Sequence, residues 1–409
     1  MKKKRGFLSQ TQYIAYGFFV LILVGTLLLM LPFASRNGQS VNFLDALFTS
    51  TSASCVTGLV VRDTWSQWSL FGQFVIIFLI QIGGIVKLAR RIIAGTCIFE
   101  VTGAVLLSIR FVPKYGFFRG VFYGFFHAVS AFCNAGFDLM GNEVPYNSLV
   151  GYYDDWLVNL VIMSLIIIGG LGFIVWDDLY RNKFHFRKYL LQTKLVLIAL
   201  FVLVFGGAGL FWVLERQNLM VGMSASGQIL TSLFASVTAR TAGFNTVDPA
   251  AMTDGSKLLT LILMFIGGNP GSTAGGVKTT SAIALFLYVR SNIDRSYGIN
   301  VFGRRLEEDA VKRAGAICTI NLTAALAASI LIMAIQPVGM ADVLFETFSA
   351  IGTVGMTTGI TRSLLPASRI VIILLMYCGR IGSMSFALAF TQQKRITHVQ
   401  NPVETVSIG

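Results

Sequence analysis

Four short segments of this 409-residue chain share one arrangement: an apolar run carrying Ser, Thr and aromatic residues, then a glycine, then polar residues. They cover 47–58, 125–136, 232–243 and 344–355, and end on Gly58, Gly136, Gly243 and Gly355. Six positions before these glycines stand Ser52, Ser130, Val237 and Ser349; five before stand Ala53, Ala131, Thr238 and Ala350. Taken singly, each glycine reads as a turn or a helix contact. Four in register point to shared chemistry. Glycine admits backbone conformations closed to other residues, so consecutive carbonyls can face one side and replace the hydration shell of a monovalent cation. The small residues before each glycine, Thr57, Ala135, Ala242 and Val354, let four such strands approach one axis.

Other reactive residues are scattered. Cys55, Cys97, Cys133, Cys318 and Cys378 stand singly in apolar stretches, without metal-ligand spacing, and read as small buried hydrophobes. His127, His185 and His398 lie far apart and form no ligand cluster. A membrane enzyme needs clustered His, Asp, Glu or Cys, so no catalytic residue is assigned and the chain reads as a non-enzyme.

The elements that must position the glycines follow from composition. Hydrophobic residues make up 55% of the chain and charged ones 12%, about half the charge share of a soluble domain. The surplus must face lipid. Long apolar runs near 13–33, 92–112, 194–214 and 314–335 precede the four segments, and runs near 69–86, 156–176, 257–289 and 368–390 follow them. Each segment is itself too short to span. The spacing therefore predicts an all-α polytopic membrane protein: four tandem units of outer span, short re-entrant pore helix, filter loop and inner span, around a pseudo-fourfold central pore. The units are placed at 1–90, 91–190, 191–300 and 301–395, with a tail at 396–409. The run at 13–33 reads as a retained span rather than a leader.

Backbone outside a helix at membrane depth persists only when buried or lining a watery path. The pore helices also aim the negative ends of their dipoles at the axis, which favours cations.

The formal charge of +13 has the same origin. Twenty of the 32 Lys and Arg fall in five clusters, at 2–5, 87–91, 181–194, 290–313 and 394–395, with only seven of the 19 acids nearby. Loops carrying that excess belong on the cytoplasmic side, which puts both termini there. Nucleic acid is excluded as a partner, because topology accounts for the charge and no basic-aromatic module is present.

Glycine doublets recur in the inner spans as Gly83-Gly84, Gly169-Gly170 and Gly267-Gly268; in the fourth, Arg380 replaces the second glycine after Gly379. The third inner run is interrupted from Gly267 to Thr280, where Gly267, Gly268, Asn269, Pro270, Gly271, Gly275, Gly276 and Lys278 cannot continue a straight helix. This loop is the expected gate. Its glycines and Lys278 do not match a phosphate-binding loop, since Val277 intervenes before the lysine and no strand precedes it. Arg380, a permanent cation at membrane depth, is costly and hence expected to act with the gate; a structural pairing with carbonyls or a carboxylate is compatible with that. Successive repeat glycines lie 78, 107 and 112 residues apart. The short first interval predicts that the end of the first inner span and its loop are missing near Ile85 to Lys87.

With these residues in place, the chain resembles the superfamily of K⁺ transporters of Trk, Ktr and plant high-affinity types, and within it the membrane subunits of bacterial Ktr systems. The resemblance covers essentially the whole chain. Thr353-Val354-Gly355 is similar to the T-V-G core of K⁺ channel filters, and a glycine in all four repeats resembles the K⁺-preferring members. The resemblance implies K⁺ coordination, mainly by backbone carbonyls, at Val56-Thr57-Gly58, Asn134-Ala135-Gly136, Thr241-Ala242-Gly243 and Thr353-Val354-Gly355. It implies K⁺ uptake across the bacterial plasma membrane, Na⁺ as a candidate activator, and no covalent cofactor. It further implies a homodimer on a cytosolic RCK-type ring, through which alone nucleotide acts, since no nucleotide-binding fingerprint exists here. The basic stretch from Arg304 to Arg313 is a candidate contact for that ring, or a solvated helix start beside anionic lipid. The alternative class, an alternating-access cation symporter, calls for inverted repeats and a midplane carboxylate, whereas these repeats read parallel.

Overall fold

The computed structural model describes residues 10–85, 90–142, 144–183, 185–294 and 298–382, and nearly all of its regular structure is helical. Four helices are long and apolar enough to cross a membrane: Gln12–Leu29, Ala94–Tyr115, Leu191–Glu215 and Glu308–Ile335. Each leads into a shorter helix, Phe43–Ser54, Phe117–Phe132, Ala225–Thr238 and Met340–Gly352 respectively. An irregular stretch follows, then an inner helix: Leu70–Ile85, Trp156–Gly170, Asp254–Phe265 and Pro366–Ile381. At about 1.5 Å per residue, these inner helices are shorter than a bilayer core.

Local sequence sets the ends of these helices. Asn42, Asp155, Ser224 and Thr253 accept amide hydrogen bonds in the first turn of the helix that follows, satisfying donors that have no partner within the helix. Outer and pore helices approach closely where small residues meet, which is how helices associate in lipid. On Gly124 a side chain would run into Ala104 and Ser108; on Gly207 it would meet Ser236. The third outer span contains a π-helical turn, Val202–Gly206, where the Leu203 carbonyl accepts from Ser236 Oγ at 2.9 Å.

The core runs across units as well as inside them. Ile22, Phe48 and Cys55 from the first unit pack with Ala325, Phe348 and Ile372 from the last, so the sequence ends of the array meet and close it. Outward-facing side chains are apolar, with Leu27, Phe78, Ile98 and Ile330 about two-thirds exposed.

Two expectations need correction. The second inner run does not continue to 176: it stops at Gly170 and bends by 97° into Phe173–Asn182. Gly172, at φ 88°, makes the corner, and Phe173 N donates to Gly271 O at 2.9 Å, so the bend is fastened to the glycine-rich loop. Cys97 is exposed on the outer surface rather than buried; in lipid a thiol there carries little penalty. A small antiparallel hairpin, Asn300–Val301 with Arg304–Arg305, turns through Phe302 and Gly303, both at positive φ. The supposed junction at 86–87 lies outside the described residues.

Candidate functional site

The four repeat glycines form a closed ring. A side chain on Gly58 would collide with the Ala135 carbonyl, on Gly136 with that of Ala242, on Gly243 with that of Val354, and on Gly355 with that of Thr57. At Gly136 and Gly243 the oxygen stands 2.5 Å from where Cβ would be. Each strand thus leans on the next in chain order, and the fourth on the first. All four glycines have φ between 71° and 96°, so substitution is excluded twice, by space and by backbone.

Two residues before each glycine, Val56, Asn134, Thr241 and Thr353 also hold positive φ, at 55°, 58°, 69° and 51°. Such a conformation in a non-glycine residue costs of order 1–3 kcal/mol and needs support. The residues between keep negative φ, and alternating hand turns successive peptide planes to the same side. Amides point backward: Thr57 N, Ala135 N and Val354 N donate to the carbonyls of Ser52, Ser130 and Ser349 at 2.7–2.8 Å. No backbone N–H among the described residues donates to the carbonyls of Thr57, Ala135, Ala242 or Val354. Those oxygens are therefore available to a cation.

The serine six positions back is the support. Ser52 Oγ and Ser349 Oγ accept from Gly58 N and Gly355 N at 3.1 Å, while Ser130 Oγ donates to Phe137 O at 2.7 Å. In the third strand Val237 cannot do this, and Thr238, one position on, donates to Phe244 O at 2.6 Å. His127 is buried behind the second strand, with Nδ1 2.7 Å from Tyr123 O and Nε2 accepting from Leu139 N at 3.3 Å. Both ring nitrogens are engaged with the scaffold. Among the described residues no group of His, Cys, Asp and Glu could hold a metal ion.

On one side of the ring lies a cavity of about 370 Å³ lined by all four glycines with Asp63, Asp138, Asp248 and Arg362. A second cavity, of about 330 Å³, is lined by the doublets Gly83-Gly84 and Gly379-Arg380 and by the loop residues Gly271, Gly276 and Lys278. The loop is folded tightly. Gly267 N donates to Val277 O at 2.8 Å, Thr279 N to Gly268 O at 3.1 Å, and Asn269 N to Gly170 O at 3.1 Å. Pro270 O faces Gly172, Gly275 abuts Thr353, and Gly276 faces Gly352. Lys278 Nζ folds back on Ala274 O at 2.7 Å. Thr273 Oγ1 reaches Phe132 O at 3.1 Å and Asn134 Oδ1 at 3.3 Å. Arg380 donates to Thr273 O and, at 2.5 Å, to Gly83 O, joining the loop to the first inner helix.

The four expected filter strands thus meet in one ring, while of the expected gate residues Gly271, Gly276, Lys278 and Arg380 line the second cavity and Gly267, Gly268, Asn269, Pro270 and Gly275 belong to the folded loop. Ser130, Thr238, Arg240, Thr273 and Thr279 also belong to this assembly. Ser130 and Thr238 stand in the repeat register and Thr273 and Thr279 in the interrupted run, whereas nothing in the sequence marks Arg240.

This architecture, four glycine strands held by short helices between spans, is that of a membrane cation transporter. Residues 85–398 match the family model described as TrkH, a cation transport protein, and the chain belongs to that family. It is 38% identical to the "Potassium/sodium uptake protein NtpJ" of Enterococcus hirae, over 100% of this chain and 99% of that protein. It is 35% identical to the "Ktr system potassium uptake protein B" of Bacillus subtilis, over 96% of both chains. The alignment with NtpJ runs over 454 residues, so that relative contains segments this chain lacks. The crystal structure of the potassium transporter TrkH from Vibrio parahaemolyticus shares the fold, with a TM-score of 0.77 at 19% identity, covering 95% of this chain and 86% of that one. The chain is thus an ion transporter of the Trk/Ktr family, not an enzyme.

Proposed function

We propose that this protein takes up K⁺ by channel-like passage through a filter formed by residues 56–58, 134–136, 241–243 and 353–355. The observation that carries the reading is the closed ring, in which each glycine makes room for its neighbour's carbonyl. Carbonyls without amide partners replace water around a dehydrated monovalent cation, and the printed names of the relatives supply K⁺ as its identity. The loop 267–280, with Arg380, forms the gate: it lines the cavity opposite the acidic one and touches the second and fourth strands. Both "potassium" and "sodium" stand in one relative's name, which supports Na⁺ as activator or second ion.

The same reading divides the chain into units near residues 90, 190 and 300 and puts the basic loops and both termini in the cytoplasm. It also takes the working form as a homodimer on a cytosolic RCK-type nucleotide-binding ring, docked on the stretch from Arg304 to Arg313. Expression in a K⁺-uptake-deficient bacterium tests the core of it. Growth at low K⁺, with Rb⁺ competing for uptake more strongly than Na⁺, is expected. Gly243→Ser should abolish that preference; a preference left intact would falsify the filter assignment.

A further inference from the structure

Three residues before each repeat glycine stand Cys55, Cys133, Arg240 and Gly352. Three of these are small. Arg240 is large, 7% exposed, and enters none of the ion pairs among the described residues. Its place is explained by its own unit. In the other three units the inner helix packs the first glycine of its doublet against the carbonyl four positions before the repeat glycine, that of Ser54, Phe132 or Ile351. The third inner helix stops at Phe265 and resumes at Thr279, so continuous helix is lacking where the other units have it. Arg240 reaches across, and its guanidinium donates to the buried Thr279 Oγ1 at 3.2 Å. Thr279 Oγ1 donates onward to Gly267 O at 2.7 Å, tying both ends of the loop to one side chain.

The connection forms a circuit. Arg240 O accepts from Asn134 Nδ2 at 3.5 Å, and Asn134 Oδ1 accepts from Thr273 Oγ1 at 3.3 Å. From Thr273 in the loop, the path runs through the second strand, the base of the third strand, and back to the loop at Thr279. Arg240 Nε and Asn269 Oδ1 have no partner among the described residues, and both residues line one small cavity of about 10 Å³ between loop and pore helix. Buried polar groups of this kind are held where they fix an arrangement.

We propose that Arg240 is a positioning residue that couples the intramembrane loop to the third filter strand, so that loop displacement changes ion preference as well as flux. The inference rests on the filter and gate reading above. Coupling of this kind requires contacts that differ between the two loop positions, and the Arg240–Thr279 bond is one that must break when the loop leaves.

The test is a double-mutant cycle in proteoliposomes, reading Rb⁺ flux and the Rb⁺/Na⁺ flux ratio. Arg240→Met and Thr279→Val should each raise flux and lower the ratio by about fivefold, and the double variant should fall no further than Arg240→Met alone. Arg240→Lys and Thr279→Ser, which keep a donor and a hydroxyl, should restore most of the ratio. Unchanged ratios in both single variants, or fully multiplicative effects in the double, overturn the coupling. Should Arg240→Met fail to fold, Thr279→Val with Thr279→Ser decides alone on the same readouts. Gly243→Ser, run alongside, separates the two failures: a ratio that moves there but not in the cycle sinks only the coupling.

Discussion

Arg369, on the last inner helix, pairs with Asp45, on the first pore helix, at 2.5 Å, and so locks the seam where the ring closes. Asp45 also holds Arg62 at 3.0 Å. An equivalent pair lies one seam earlier, Lys257 with Asp342 at 3.9 Å. Both aspartates stand thirteen positions before a repeat glycine, and both cations ten before the first glycine of their doublet. The other two seams have Gln73 with Tyr123 and Asn159 with Leu230 at those places. Ion pairs thus flank the fourth unit on both sides.

Removing the Asp45 charge leaves Arg369 without its partner in a largely buried place, which costs about 2–3 kcal/mol. Asp45→Asn is expected to lower the unfolding midpoint in detergent well below that of Asp342→Asn, whose pair is longer and more open. Equal midpoints would show that the closing seam is held by packing alone.

Ser349→Ala strips the buried Gly355 amide of its acceptor, a loss of about 1–3 kcal/mol borne by the strained strand. Thr238→Val likewise releases Phe244 O. Both variants should reach the membrane at normal levels and discriminate less well between Rb⁺ and Na⁺ in competition uptake. Preserved discrimination would mean that the strands support themselves.

Arg380→Ala frees the carbonyls of Thr273 and Gly83 and removes a fixed positive charge from the path. Rb⁺ flux should increase. A variant with wild-type flux rejects a part for Arg380 in the gate.

Asp138 sits in the acidic cavity, beyond the pore helix. Burial pushes its carboxyl up to about 7, and the charge of Asp63 adds to the effect. The raised value means that the carboxyl is charged above pH 7 and neutral below, so acidification removes attraction for cations. The KM for Rb⁺ should rise between pH 8 and pH 6, and Asp138→Asn should give a flat profile at the higher value. A pH-dependent KM that survives in Asp138→Asn assigns the titration to another group.

The glycine register exposed the site because four copies of one constraint reinforce each other, where a lone Gly136 would have passed for a turn. Span positions were legible for a similar reason, since lipid demands long apolar runs wherever a helix crosses. What stayed hidden depends on contacts between units. At the bend of the second inner run Gly172 lies against the Pro270 carbonyl and Phe173 N donates to Gly271 O, contacts that nothing near Gly172 in sequence announces. Thr238 takes over from Val237 by shifting one position, a swap that looks like a broken pattern until the backbone is seen. Arg240 reads as an ordinary basic residue; its meaning comes from Thr279, 39 positions away.

The ring of four strands is written in one chain, so each quarter has its own codons. In an assembly of four identical subunits, any substitution strikes every quarter together, and a change tolerable once is multiplied fourfold. Here Thr353 can diverge without Val56, Asn134 or Thr241, and under the proposed filter reading mutation can alter ion preference one quadrant at a time.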